Sequence, residues 1–153
     1  MTDVRAGKGY LETRAETRFS DYTRQGVLHW SKSLMYFEKA RFAVAELSGI
    51  REALAALTPD AEIAFVVIRV RMQMEKPVIL SPDGKEKTLL VRTWLEPSSL
   101  CRLTFRQQLV DGANDECCLT GTVDVVILVN GSVMRQFPPE IRACLTDYER
   151  RIG

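Results

Sequence analysis

Histidine is nearly absent from this chain, His29 being the only one among 153 residues. The four cysteines, Cys101, Cys117, Cys118 and Cys144, have neither metal-ligand nor redox spacing. The reading is therefore of a chain with no metal and no cofactor, carrying four reduced thiols in a cytoplasmic protein. Cys117 and Cys118 are adjacent in a strand-like run and should point to opposite faces. A charge excess is missing as well: the net charge is +1. That balance gives no reason to expect nucleic acid or a polyanionic surface as partner. No apolar run reaches the roughly 18 residues of a membrane span, so no membrane partner is expected. The opening Met-Thr-Asp-Val-Arg-Ala-Gly-Lys-Gly lacks the apolar stretch of a signal peptide, and its Gly-Lys-Gly lacks the spacing of a phosphate loop. Residues 1–10 are expected to form a flexible N-terminal arm. Repeats and low-complexity segments are absent, which leaves residues 11–153 as one domain, long enough to bury a real core.

What is present falls into a clear order. Residues 11–20 alternate charged with small or apolar residues, the period of a half-exposed strand. A polar loop with one glycine, Gly26, follows at 21–26. A long, largely apolar helix should start near Ser31 or Ser33, either of which can cap it, and end near Ser48-Gly49. On that helix Lys32, Lys39 and Glu46 mark the solvent side, and Leu34, Phe37 and Val44 the opposite side. Arg41 falls among the apolar group, where a charge needs a partner because unpaired burial is costly. A short helical piece at 51–58 precedes four strand-like runs at 62–75, 88–96, 100–110 and 116–129. In the first of these Val66, Ile68, Val70, Met72 and Met74 should share one face. Turns at 81–84, 97–99 and 111–115 separate the strands and argue for antiparallel hairpins. Asn130-Gly131 then interrupts the pattern, Pro138-Pro139 breaks the chain, and residues 140–151 read as a terminal helix.

The stretch from Arg18 to Arg41 carries a specific resemblance. Phe19, Asp21, Gly26, Val27 and Phe37-Glu38-Lys39-Ala40-Arg41 stand at the offsets of a loop-and-helix pattern. In this it resembles the hot-dog-fold acyl thioesterases of the 4-hydroxybenzoyl-CoA thioesterase type. The order of one strand, one long helix and four long strands is similar to theirs. The resemblance implies an α+β hot-dog fold, a five-stranded antiparallel sheet wrapped around one central helix. Residues 76–87 are longer than the family's usual connection. The larger departure is at Thr23, which stands where those enzymes place their catalytic carboxylate. In lacking that acid, and in having an arginine at the Arg41 position, the chain resembles the thioesterases of enediyne polyketide pathways.

Hydrolysing a thioester needs a polarised carbonyl and a nucleophile or a base for water. Helix N-terminal N–H groups near Gly26, Val27 and Leu28 can stabilise the oxyanion, with Gly26 letting the thioester approach the backbone; as a purely structural residue, Gly26 would only make a turn. Thr23 can position water or substrate but has no base beside it. Asp21, the nearest carboxylate, either braces the loop or serves as base. Glu38 and Arg41 either pair with each other or the loop or serve the site, Glu38 by binding substrate and Arg41, by the enediyne resemblance, by orienting substrate or stabilising the oxyanion. His29 reads as a lining or hydrogen-bonding residue more than a proton carrier, and Tyr22 and Trp30 as pocket walls, with core packing as the alternative for Trp30.

These readings lead to an expected acyl thioesterase acting on an acyl-CoA or acyl-carrier-protein thioester, serving a polyketide-like pathway. The alternatives are a non-hydrolytic module of the same fold binding an acyl or aromatic ligand, and a cyclase or acyl-transfer enzyme on a carrier-bound substrate. Dehydratase relatives present a histidine with a carboxylate on the helix, and this helix has no histidine. The resemblance also implies a homodimer or dimer of dimers with sites at the subunit boundary.

Overall fold

A computed structural model describes residues 4–6, 9–83, 87–97 and 99–153. Its frame is one antiparallel sheet. The strands are β1 (Val4–Ala6), β2 (Leu11–Ala15), β3 (Ile63–Met74), β4 (Leu89–Pro97), β5 (Arg102–Asp111), β6 (Glu116–Val129) and β7 (Ser132–Val133). They run in the spatial order β1-β2-β4-β5-β6-β3, with β7 paired to β6. The five expected strands are all present, and two short ones are added. Val4–Ala6, expected in a loose arm, instead pair with Leu11–Thr13; the rest of that arm up to residue 8 lies outside the described residues. The turns expected at 81–84 and 97–99 lie partly outside them too.

Two departures from simple alternation have local causes. Within β3 the register shifts between Val67 and Arg69, leaving Ile68 as the extra residue of a bulge. Phe65 and Val67 therefore share the inner face with Val70, Met72 and Met74, while Val66 points the other way, correcting the face expected from strict alternation. At Asn130-Gly131 both residues have positive φ, 50° and 80°. That geometry belongs to a tight two-residue hairpin, so the chain does not merely leave the sheet but folds back as β7.

Helix α1 (Trp30–Ser48) lies on the inner face. It starts before the serines expected to cap it. The N–H of His29 donates to the Asp21 carbonyl at 2.9 Å, which holds His29 extended and lets the helix begin at the next residue. Gly49, with φ of 74°, ends α1 and leads directly into α2 (Ile50–Leu57). Phe37, Ala40 and Val44 are fully buried against the sheet, each large apolar side chain contributing about 1.5–3 kcal/mol. Gly121 on β6 makes room for this packing, since a Cβ there would come within 2.8 Å of the Phe37 ring. Beyond α2, helix α3 (Pro139–Ile152) seals the end of the core with Ile141, Leu145 and Tyr148.

The core has two parts. One surrounds the first half of α1, with Tyr22, Leu28, Tyr36, Val78, Leu89 and Leu109. The other joins the second half of α1 to α2, α3 and the far ends of the strands. Between them runs a cross-strand row of Thr93, Gln107 and Gly121. A polar seam thus crosses the inner face at the level of Phe37 and Arg41.

Candidate active site: a loop, a helix start and a half-buried arginine

The loop before α1 is held by its own turns, by the Asp21 and Thr23 side chains and by the segment after β3. A 3-10 turn at Phe19–Asp21 places the Asp21 carboxylate inward. Its Oδ2 accepts hydrogen bonds from the Tyr36 hydroxyl at 2.6 Å and the Arg18 N–H at 3.0 Å. The Lys32 ammonium lies 3.9 Å from Oδ1. Lys32 and Tyr36 are four apart on α1, hence neighbours on one helix face. The carboxylate therefore ties loop to helix.

Thr23 closes a tight turn. Its N–H donates to the Val27 carbonyl at 2.7 Å, and its hydroxyl oxygen accepts the Val27 N–H at 3.2 Å. The Gly26 N–H donates to the Thr23 carbonyl, the Leu28 N–H to the Val78 carbonyl, and the His29 N–H to Asp21. Every N–H from Gly26 to His29 is thus spent within the fold, which moves the available donors away from Gly26 and Val27. The first-turn N–H groups of Trp30 and Ser31 have no intrahelical carbonyl to bond. Gly26 is selected by its φ of 77°; an added Cβ would make only ordinary contact, 3.6 Å from Leu80. The segment after β3 lies across this loop, with the Leu80 N–H donating to the Gly26 carbonyl at 2.7 Å.

Among the aromatic candidates, Tyr22 packs in the core with Leu28, Tyr36 and Val78. His29 is exposed, and Trp30 is 61% exposed. Trp30 borders a void of only ≈ 10 Å³ with Ser33, Met74 and Cys118. Burial pushes both the Cys117 and Cys118 thiols up from their ordinary value, so neither is a ready nucleophile.

Arg41 occupies a different place. It lies eleven residues beyond Trp30, about 16 Å along the helix axis. Its Nη1 donates to Gln107 Oε1 at 3.0 Å. Gln107 is completely buried, and its Nε2 donates to the Phe37 carbonyl at 3.0 Å and Thr93 Oγ1 at 3.1 Å. Burial lowers the Arg41 pKa, opposed by the nearby Glu38 charge; a guanidinium stays protonated all the same. Arg41 thus neither pairs with Asp21 nor contacts the loop within this chain. It lines a cavity of ≈ 100 Å³, with the exposed Glu38 and Arg51 as the other charged lining and Val44, Leu103 and Phe105 among its apolar walls. The Arg51 guanidinium sits over the rings of Phe42 and Phe65, 5.6 and 5.3 Å from their centroids.

The candidates therefore fall into two groups, the loop with the helix start, and Arg41 with Glu38. Reasoning from sequence missed three residues that position them: Tyr36, Lys32 and Gln107. Gln107 did leave a signal, a polar residue at an inward position between Phe105 and Leu109. Among the described residues no cluster of His, Cys, Asp and Glu could hold a metal ion, and no helix is long and apolar enough to cross a membrane.

No family model matches the chain, and no curated protein matches it. Solved structures do resemble it in shape. A Thermus thermophilus thioesterase complexed with coenzyme A and Zn superposes with a TM-score of 0.74 at 21% identity, over 95% of this chain and 99% of that one. A DHNA-CoA thioesterase from Staphylococcus aureus gives 0.73 at 17% identity, over 92% and 91%. A 1,4-dihydroxy-2-naphthoyl-CoA thioesterase from Synechocystis gives 0.72 at 11% identity, over 91% and 97%. At these identities the likeness is one of architecture: the chain has the hot-dog fold, an antiparallel sheet wrapped around a long central helix.

Proposed function

We propose that the chain is an acyl thioesterase acting on a coenzyme A or carrier-protein thioester without a carboxylate base. The observation that carries this reading is the start of α1, where the N–H groups of Trp30 and Ser31, unpaired among the described residues, stand next to a rigid loop. A thioester carbonyl placed there would have its developing negative charge stabilised by those donors and the positive end of the helix. Water adds to the carbonyl carbon, the carbon–sulfur bond breaks, and the thiol leaves with the proton, giving a free acid. Thr23 and Asp21 hold the loop, and Arg41 supplies a fixed positive charge for the substrate.

The enzyme works as a homodimer in this reading. β3 is an edge strand of twelve residues, and Val67, Ile68, Val70 and Met74 on it are exposed, as are Met35 and Phe42 on α1. A long apolar edge invites pairing with another strand. A second copy paired antiparallel along β3 would cover these residues. It would also set the loop of one copy beside the second half of α1 in the other, so that Arg41 would serve the partner's helix start.

A second reading, a non-hydrolytic acyl-binding module, draws on the Asp21 carboxylate being engaged by Tyr36, Arg18 and Lys32. A panel of acyl-CoA and acyl-carrier-protein thioesters separates the two. Release of free acid with turnover supports the thioesterase, whereas saturable binding without acid release supports the module.

A further inference from the structure

The face of the sheet turned away from α1 carries a groove of ≈ 380 Å³ that the proposed reaction does not use. Its position follows from Gly121. Because a Cβ on Gly121 would point at Phe37, its neighbours Thr120 and Thr122 point outward. The register then puts Arg71 and Arg106 on either side of Thr122, and Gln73 and Gln108 on either side of Thr120. The small threonines form a floor between two longer walls, and among the described residues no acidic side chain lines the groove.

The donors along this groove are largely unspent. The side chains of Arg71, Gln73, Gln108, Thr120 and Thr122 make no hydrogen bond or ion pair among the described residues. Arg106 leans towards β4, its guanidinium stacked 4.4 Å over the Trp94 ring and its Nε 3.3 Å from Glu96. Two arginines on strands β3 and β5 are separated by two strand spacings, about 10 Å between backbones. Arg71 is free to reach an oxyanion held over the threonines, with the Arg106 charge on the far wall and hydroxyl and amide donors beneath it. We propose that this slot binds an oxyanion-bearing small molecule, a phosphate or carboxylate compound, at a site on the opposite face of the sheet from the thioester.

The test is isothermal titration of the full chain at low salt with pyrophosphate and, separately, with succinate. Arg71→Gln is the first variant, since Arg71 is exposed and its side chain supports nothing else among the described residues. Thr122→Val, which keeps the shape and removes the hydroxyl, is the second. The expected result is saturable binding of at least one probe, weakened about tenfold by Arg71→Gln, as befits loss of a charged hydrogen bond, and measurably by Thr122→Val. The tighter probe then names the source, phosphate or carboxylate. Binding that never saturates, or that Arg71→Gln leaves unchanged, overturns the proposal. So does sedimentation in which Arg71→Gln changes the assembly mass, because the groove would then be an interface between copies. None of these readouts depends on thioester turnover.

Discussion

Arg41 and Asp21 are both charged and largely enclosed, yet their surroundings give them different work. Asp21 holds the loop to the helix through Tyr36 and Lys32, so Asp21→Asn should lower the melting temperature, costing about 1–3 kcal/mol, and reduce activity only moderately. Arg41 is held by one side chain, Gln107, and otherwise lines a cavity. Arg41→Met keeps the apolar stem and should cut kcat/KM by about 10²- to 10³-fold, the scale of losing one oxyanion-type donor. Thr23→Val should do far less, because a turn bond is lost and no chemistry with it. Rates measured beside melts decide the matter; a folded Arg41→Met enzyme with parental rates, next to a dead Asp21→Asn, would make Asp21 the base. Tyr148 supplies a separate test of burial. Its hydroxyl is enclosed with no hydrogen-bond partner among the described residues, and burial raises its pKa. Tyr148→Phe should therefore leave the melting temperature equal or slightly higher, by up to about 1 kcal/mol of stability.

At the scale of elements, the loop and the strand edge matter most. Gly26→Val forces a β-branched residue to φ of 77°, a conformation costing about 1–2 kcal/mol for a residue with a Cβ. The loop should shift and activity should fall sharply while circular dichroism stays unchanged. Much of this element plan was legible beforehand. The strand runs are bounded by turn residues, Gly49 ends the helix as its chemistry requires, and Pro138 precedes α3, which Pro139 opens. What escaped depends on contacts distant in sequence. The start of α1 is set by a hydrogen bond from His29 to Asp21, which no capping rule contains. The bulge at Ile68 appears only once β3 is paired with β6. The spent N–H of Leu28 is satisfied by Val78, fifty residues later, so the loop could be located in the sequence but its available donors could not.

For the whole molecule, the question is whether one chain makes a complete site. Within a chain the helix start and Arg41 stand about 16 Å apart along α1, and the β3 edge is exposed and apolar. Val70→Lys should place a charge in the proposed subunit boundary, shift sedimentation towards the 17.3 kDa single chain, and abolish activity even though Val70 lines neither the Arg41 nor the Trp30 cavity. The most direct measurement is subunit mixing with Arg41→Met and Gly26→Val, each inactive alone. After exchange at equal amounts, half of the dimers carry one copy of each variant, and each of those has one intact site composed of both copies. The account predicts recovery to about a quarter of parental thioester hydrolysis, from the statistics of a two-fold dimer. No recovery from a mixture shown to have exchanged would contradict it.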